Sequence, residues 1–133
     1  LDLRRRELRV ASAGHCPLLV GGLHEPVRDL GADGPPLGIA AEVAWTEQHL
    51  SLPEDPRFVM FTDGLIEARN STGEFLGLEP VKARLNIAIR NAASADDIRE
   101  ALQALVADFQ GGQAAADDLT FLIFASDSPT LNP

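Results

Sequence analysis

The sequence predicts an α+β fold in which two helices cover a layered, mostly antiparallel sheet. Two short apolar runs bounded by turn signals, residues 58–61 and 119–124, are typical of strands, and two stretches with helical spacing lie between them. Further strand-like segments precede the first run, and strands followed by two helices and a strand are typical of a layered architecture. With 133 residues, 45% of them hydrophobic, the chain is large enough to bury a core without disulfides.

The individual strands follow from alternation and from their boundaries. Residues 8–12 alternate between apolar and polar side chains, residues 17–20 form a short apolar run closed by two glycines, and we predict that these segments pair as a hairpin. Residues 44–52 form a strand of mixed polarity. The run 58–61 predicts a strand buried on both faces, and 119–124 predicts a second buried strand.

The helices are marked by periodicity and caps. Residues 65–69 predict a short helical piece, and the apolar positions within 78–90 recur at helical spacing. Ser94 is a good N-cap, and Asp97 three residues later completes a capping-box-like pair. The helix that begins there ends at Gly111-Gly112.

Charge and cysteine content exclude several classes of function. Eleven Lys and Arg against twenty Asp and Glu give a net charge of −9, which argues against binding to nucleic acid or to an anionic membrane. No apolar run is long enough for a membrane span, and no signal peptide is visible. Cys16 is the only cysteine, so no intrachain disulfide forms, and we expect a cytoplasmic protein. The polar tail, residues 126–133, is expected to be frayed.

Acidic residues stand where the two apolar strands end and begin. Asp63 follows the first run, and Asp117 and Asp118 precede the second. If the strands are antiparallel neighbours, Asp63 and Asp117 meet at one rim of the sheet, where two carboxylates repel each other unless a cation or proton intervenes. Carboxylate oxygens favour Mg²⁺ or Mn²⁺. The alternative is that Asp63-Gly64 is a plain turn and Asp117-Asp118 a solvated loop.

Other residues with reactive side chains are better explained by structure. His15 is expected to be a hydrogen-bonded structural histidine, and Cys16, beside a proline, a small buried hydrophobe. His24 and His49 have no partners at metal-ligand spacing. Trp45 is expected to serve packing.

Five motifs occur in an order that is more specific than any of them alone. They are Ala13-Gly14-His15-x-Pro17, Pro36-Leu37-Gly38, Phe61-Thr62-Asp63-Gly64-Leu65-x-Glu67-Ala68-Arg69-Asn70, Gly73-Glu74-Phe75-x-Gly77 and Asp117-Asp118-Leu119-Thr120. This series resembles the SpoIIE/RsbU branch of the PPM (PP2C-like) metal-dependent serine/threonine phosphatases, and it covers nearly the whole chain.

The resemblance implies a β-sandwich flanked by helices, with a two-metal Mn²⁺ or Mg²⁺ centre at one end. It implies that Asp63 is the metal ligand of the Thr-Asp-Gly motif. Asp117 best matches the ligand of the last motif, with Asp118 the alternative if the register differs by one residue. Hydrolysis of phosphoserine or phosphothreonine by metal-activated water is expected, with no covalent phospho-enzyme and no further catalytic side chain assigned.

The resemblance also implies a place in bacterial signalling. The expected substrate is a phosphorylated anti-sigma-factor antagonist with a STAS fold, acting in sigma-factor regulation and stress response. A sensor or receiver domain is expected N-terminal to the phosphatase in the parent protein.

One departure concerns the start of the domain. The family's N-terminal segment carries an acidic residue and an Asp-Gly pair whose aspartate bridges the metals, and this chain begins after it; Asp33-Gly34 lies in the wrong place. We therefore expect residues 1–133 to be a partial domain that cannot assemble the two-metal centre alone. We also expect a partial domain to expose sheet edges and core surface that the rest of the domain normally covers, and therefore to form oligomers. The alternative function is a non-catalytic or degenerate module that binds a signalling partner.

Overall fold

The computed structural model describes residues 1–31, 34–91, 93–112 and 118–125. It confirms an α+β layered fold, with two sheets and two helices in the described residues. The elements are β1 (Glu7–Val10), β2 (Leu18–Gly21), β3 (Arg28–Leu30), β4 (Gln48–Ser51), β5 (Arg57–Phe61), a 3₁₀ turn (Asp63–Leu65), α1 (Leu78–Arg90), α2 (Ala95–Gln110) and β6 (Phe121–Ala125). The tail that was expected to be frayed, residues 126–133, lies outside the described residues. Neither helix in the described part of the chain is long and apolar enough to span a bilayer.

The strands form a four-stranded antiparallel sheet in the order β3-β2-β5-β6 and a two-stranded sheet of β1 and β4. The predicted hairpin between residues 8–12 and 17–20 is therefore wrong, because β1 and β2 lie in different sheets. Their apolar side chains meet face to face: Leu8 packs in one buried cluster with Val20 and Phe58. β3 was missed because two of its three residues are charged and carry no apolar alternation.

Both long helices were predicted correctly because their signals are local. In α2 the Ser94 hydroxyl accepts from the Asp97 amide at 3.1 Å, and the Asp97 carboxylate accepts from the Ser94 amide at 2.8 Å. The short helix expected at residues 65–69 is wrong in extent. The chain makes only the 3₁₀ turn and then pairs back on itself, since the Leu76 amide donates to the Ala68 carbonyl.

The four-stranded sheet has one face covered by the helices and the other only partly covered. Leu19, Val59 and Phe61 pack in one cluster with Leu85 of α1 and Leu102 of α2. On the opposite face the small sheet covers the part of the four-stranded sheet around Val20 and Phe58.

The remaining part of that opposite face is an apolar patch open to solvent. Met60, Leu122 and Phe124 are 40%, 52% and 55% exposed, and Met60 lies directly opposite Leu122 in the register. The prediction that 58–61 is buried on both faces is therefore wrong for Met60, and the buried strand expected at 119–124 is half exposed. Residues of β1 border a cavity together with Met60, but they leave Leu122 and Phe124 more than half exposed.

Candidate functional site

The two acidic positions predicted from strand ends are brought to the same rim of the sheet. β5 and β6 are antiparallel neighbours, with Phe61 opposite Phe121 at the end of the ladder. Asp63 lies two residues beyond Phe61, and Asp118 lies three residues before Phe121. Both are exposed. Asp117 lies outside the described residues, so its position as a ligand stays a prediction.

Thr62 joins the end of β5 to the segment that carries Asp118. Its hydroxyl donates to the Asp118 carbonyl at 2.9 Å and accepts from the Thr120 amide at 3.1 Å. Its own amide donates to the Thr120 carbonyl at 3.2 Å. Three hydrogen bonds therefore continue the ladder past the last strand pair and fix the acidic segment beside Asp63.

Asp63 starts the 3₁₀ turn and keeps its carboxylate at the surface. One carboxylate oxygen, Oδ1, accepts from the Gly64 amide at 3.1 Å, and its carbonyl accepts from the Glu67 amide at 2.9 Å. Leu65, fully buried, anchors the turn in the core. The turn thus holds an exposed carboxylate on a fixed backbone, as a metal ligand requires.

The segment before β2 lies at the same rim because β2 runs antiparallel to β5 on its other side. Burial raises the pKa of the Cys16 thiol, and the negative charges of Asp63 and then Glu67 raise it further. Cys16 is partly buried against the helix-side core. His15 Nδ1 donates to the Cys16 carbonyl at 2.9 Å, a hydrogen bond that fits a structural histidine.

Two of the sequence motifs meet beside this rim. Gly14 has a φ of +86°, and a Cβ there would lie 2.7 Å from the Pro36 ring, so only glycine allows this approach. Trp45 fixes the same loop by donating from Nε1 to the Pro35 carbonyl at 2.9 Å. An open cavity of about 210 Å³ adjoins the rim and is lined by His15, Met60, Phe61, Thr62, Thr120 and Leu122.

The rim carries residues that could hold a cation. Asp63 and Asp118 supply carboxylate oxygens, the donors that Mg²⁺ and Mn²⁺ prefer. Within the described residues no group of three or more His, Cys, Asp or Glu side chains converges on one point. The residues present fit a hard divalent cation as an incomplete ligand set.

Sequence reasoning found the acidic residues but not the groups that position them. Thr62 and Thr120 were noted as motif members without a role; the available signal was a threonine next to Asp63 in one motif and a threonine two residues after Asp118 in the other. Nor did the sequence reveal that residues 66–77 form a hairpin with an exposed tip after Asp63.

The acidic rim lies at the end of two antiparallel strands, in a sheet that carries both helices on one face. The family model of Stage II sporulation protein E (SpoIIE) matches residues 1–126, and the chain therefore belongs to the SpoIIE family.

Similar proteins span about twice this length or more. The SiaA-PP2C domain of Pseudomonas aeruginosa is similar with a TM-score of 0.73 and 24% identity, covering 95% of this chain and 49% of that one. The PP2C domain of SpoIIE from Bacillus subtilis, solved with a regulatory fragment, is similar with a TM-score of 0.68 and 22% identity. The match covers 92% of this chain and 35% of that one. Protein IcfG of Synechocystis sp. is 23% identical over 92% of this chain and 19% of its own length. The structural matches establish the fold.

Proposed function

We propose that this chain forms part of a metal-dependent protein serine/threonine phosphatase. The observation that carries the proposal is the Thr62-fixed rim, which places exposed Asp63 beside the Asp118 segment in a chain of the SpoIIE family. Asp63 and Asp117, or Asp118 in its place, would hold a divalent cation there.

Manganese or magnesium is the proposed cofactor. Among the similar structures are RsbX in complex with magnesium and a SpoIIE phosphatase domain presoaked in manganese. When bound, such an ion lowers the pKa of a water and neutralises charge on phosphoryl oxygens. The contribution of this chain is positional: Thr62 fixes the two acidic segments, and Leu65 anchors the turn that presents Asp63.

The proposed substrate is a phosphorylated anti-sigma-factor antagonist of the STAS type. Membership of the SpoIIE family supports this assignment, as does similarity in fold to the RsbU and RsbW domains of a Mycobacterium tuberculosis protein. A sensor or receiver domain in the parent protein would regulate the reaction.

We propose that another part of a PP2C-type domain covers the apolar patch of Met60, Leu122 and Phe124. Two features support this assignment: the chain spans about half of the SiaA-PP2C domain, and β6 is an edge strand whose outward face carries two of these side chains. Residues 1–133 by themselves are then expected to be inactive. Self-association of the isolated chain through the patch stays a prediction, which light scattering would test.

The test is hydrolysis of p-nitrophenyl phosphate with Mn²⁺, by the chain and by its parent protein. We expect activity in the parent that EDTA removes and that Asp63→Asn lowers at least 100-fold, whereas the isolated chain is inactive. Asp96→Asn is the matched control, because Asp96 is an exposed carboxylate on α2. Metal-independent activity, or activity unaffected by Asp63→Asn, would refute the assignment.

The second candidate function is a non-catalytic module that binds a signalling partner. It is favoured by the absence, within the described residues, of a third metal-binding side chain near Asp63 and Asp118. A parent protein that neither binds Mn²⁺ nor hydrolyses p-nitrophenyl phosphate, yet still binds a signalling protein, would support it.

A further inference from the structure

A hairpin with an exposed tip follows the 3₁₀ turn that begins at Asp63, and its base is held in the core by Ala68 and Leu76. The Leu76 amide donates to the Ala68 carbonyl at 2.9 Å, the Gly77 amide donates to the Ile66 carbonyl at 2.8 Å, and Arg69 and Phe75 form an isolated antiparallel bridge. We call residues 66–77 the rim hairpin.

The tip of the rim hairpin is held by more hydrogen bonds than a simple connection needs. The Asn70 side-chain oxygen, Oδ1, accepts from the Thr72 amide at 3.0 Å and the Glu74 amide at 2.9 Å. The Thr72 hydroxyl lies within donating distance of two acceptors, Asn70 Oδ1 at 2.8 Å and the Glu74 carboxylate at 2.9 Å, and its single proton serves one of them at a time. The Asn70 side-chain amide donates to the Glu74 carboxylate at 2.8 Å. Hydrogen bonds from Asn70 and Thr72 lower the pKa of Glu74. The tip is an ordered surface on this basis.

Arg69 is fixed on this surface with part of its guanidinium unused. Nη1 donates to the Gly73 carbonyl at 3.0 Å, and the guanidinium carbon lies 4.1 Å from the centre of the Phe75 ring, within the range of a cation–π contact. Nε and Nη2 make no hydrogen bond to any described residue, and the side chain is exposed. A guanidinium held in this way is a preorganised fork for a carboxylate or phosphate.

The rim hairpin is continuous with the acidic rim. The Glu67 amide donates to the Asp63 carbonyl at 2.9 Å, and the charges of both residues raise the pKa of Cys16. Arg69 is two residues further along, and it is the only Lys or Arg between residues 58 and 81. This cation and the half-exposed Phe75 ring are therefore the charged and aromatic groups of the segment that leads away from Asp63.

We propose that Arg69, supported by Phe75, binds an acidic side chain of the phosphoprotein close to its phosphoserine. The proposal rests on the phosphatase function proposed above. A chain of net charge −9 repels an acidic substrate, so a fixed cation beside the rim supplies the local complementarity that docking needs. Arginine and aromatic side chains are also the residue types most often found at the centre of interfaces. The phosphate itself is assigned to the metal rim, not to Arg69.

The experiment uses the parent phosphatase and three substrates. They are p-nitrophenyl phosphate, a phosphoserine peptide with glutamates on both sides of the phosphoserine, and the same peptide with glutamines. For Arg69→Ala we expect kcat/KM on the glutamate peptide to fall about tenfold, the size of one charge-assisted hydrogen bond. The glutamine peptide and p-nitrophenyl phosphate should change less than about twofold, since neither carries the carboxylate.

Two further variants separate recognition from structure. Arg69→Lys keeps the charge but loses the fork, and Phe75→Leu keeps apolar bulk but loses the ring, so each should lower kcat/KM on the glutamate peptide by about threefold. Arg4→Ala is the matched control, because Arg4 is an exposed arginine whose side chain forms no hydrogen bond or ion pair with any described residue, and it should have no effect. Melting temperatures report whether each variant folds.

Equal losses on both peptides, a loss on p-nitrophenyl phosphate, or no loss at all would overturn the assignment of Arg69. The failure of the phosphatase function has a different signature: the wild-type parent does not hydrolyse p-nitrophenyl phosphate. Fluorescence anisotropy of the labelled glutamate peptide then still decides, because Arg69→Ala must weaken its binding and leave the glutamine peptide unaffected.

Discussion

Removing the Thr62 hydroxyl should loosen the acidic rim without disturbing the core. The substitution is Thr62→Val, which keeps the β-branched shape. Thr62 has a φ of −83° and a ψ of 159°, an extended conformation that valine adopts readily. The change therefore removes two hydrogen bonds, one to the Asp118 carbonyl and one from the Thr120 amide, and little else.

The expected loss of stability follows from the number of hydrogen bonds removed and from the solvent exposure of the residues that form them. Each hydrogen bond contributes about 1 kcal/mol, and water can replace part of it because Asp118 and Thr120 are exposed. We expect the free energy of unfolding to fall by about 1–2 kcal/mol, which corresponds to a melting temperature lower by about 4–8 °C. Local opening at Thr120 should become easier by the same amount, so its amide should exchange with deuterium roughly 5–30 times faster.

Urea unfolding and amide exchange measure these two quantities. The matched control is Thr46→Val, because Thr46 is exposed and its hydroxyl forms no hydrogen bond with any described residue. Exchange at Thr120 that is unchanged in Thr62→Val, or equal stability losses in the two variants, would refute the role of Thr62 in fixing the rim.

Three further predictions concern α2. Leu102→Ala, at a fully buried position, should lower the free energy of unfolding by about 2–5 kcal/mol in urea denaturation, whereas Ile87→Ala, at a position 60% exposed, should have little effect. Hydrogen bonds from Ser94 lower the pKa of Asp97 below 3.8, so its stabilisation is complete above that pH and lost as pH falls through the folded pKa; Asp97→Asn should flatten acid unfolding curves there. Gly111→Ala, at a left-handed C-cap with φ of 60°, should cost about 1 kcal/mol by thermal melting.

The sequence predicted those features of the fold that depend on near neighbours in the chain. Both helices were correct because Ser94, Asp97 and the apolar spacing lie within a few residues of one another. Strand pairing was wrong for β1 because its partner, β4, lies about forty residues away and nothing local distinguishes Leu50 from another apolar neighbour.

The candidate site was partly predictable for the same reason. The ends of two strands predicted that Asp63 meets Asp117 at one rim, since antiparallel neighbours bring end and beginning together. The structure shows the neighbouring Asp118 there, whereas Asp117 lies outside the described residues. The bonds of Thr62 and the stacking of Arg69 on Phe75 were not predictable, because they depend on the strand register and on the path of a loop.

The apolar patch and the acidic rim are neighbours on the same two strands. Met60 and Leu122 each lie two residues from Thr62 and Thr120, about 7 Å along a strand, whereas Phe124 lies about 14 Å from Thr120. A surface that covers Met60 and Leu122 therefore reaches the rim and can add metal ligands. On this argument we expect the part of the domain that buries the patch also to complete the proposed cation site.

Two charge substitutions in the parent protein separate the burial of the patch from the completion of the cation site. Leu122→Glu should lower both the melting temperature and the affinity for Mn²⁺, because it displaces the covering surface next to the rim. Phe124→Glu, at the same strand face but twice as far from the rim, should lower the melting temperature and change Mn²⁺ affinity little. Calorimetric titration with Mn²⁺ measures the difference. If both variants lose Mn²⁺ affinity equally, or neither does, the covering surface and the metal ligands belong to separate parts of the protein.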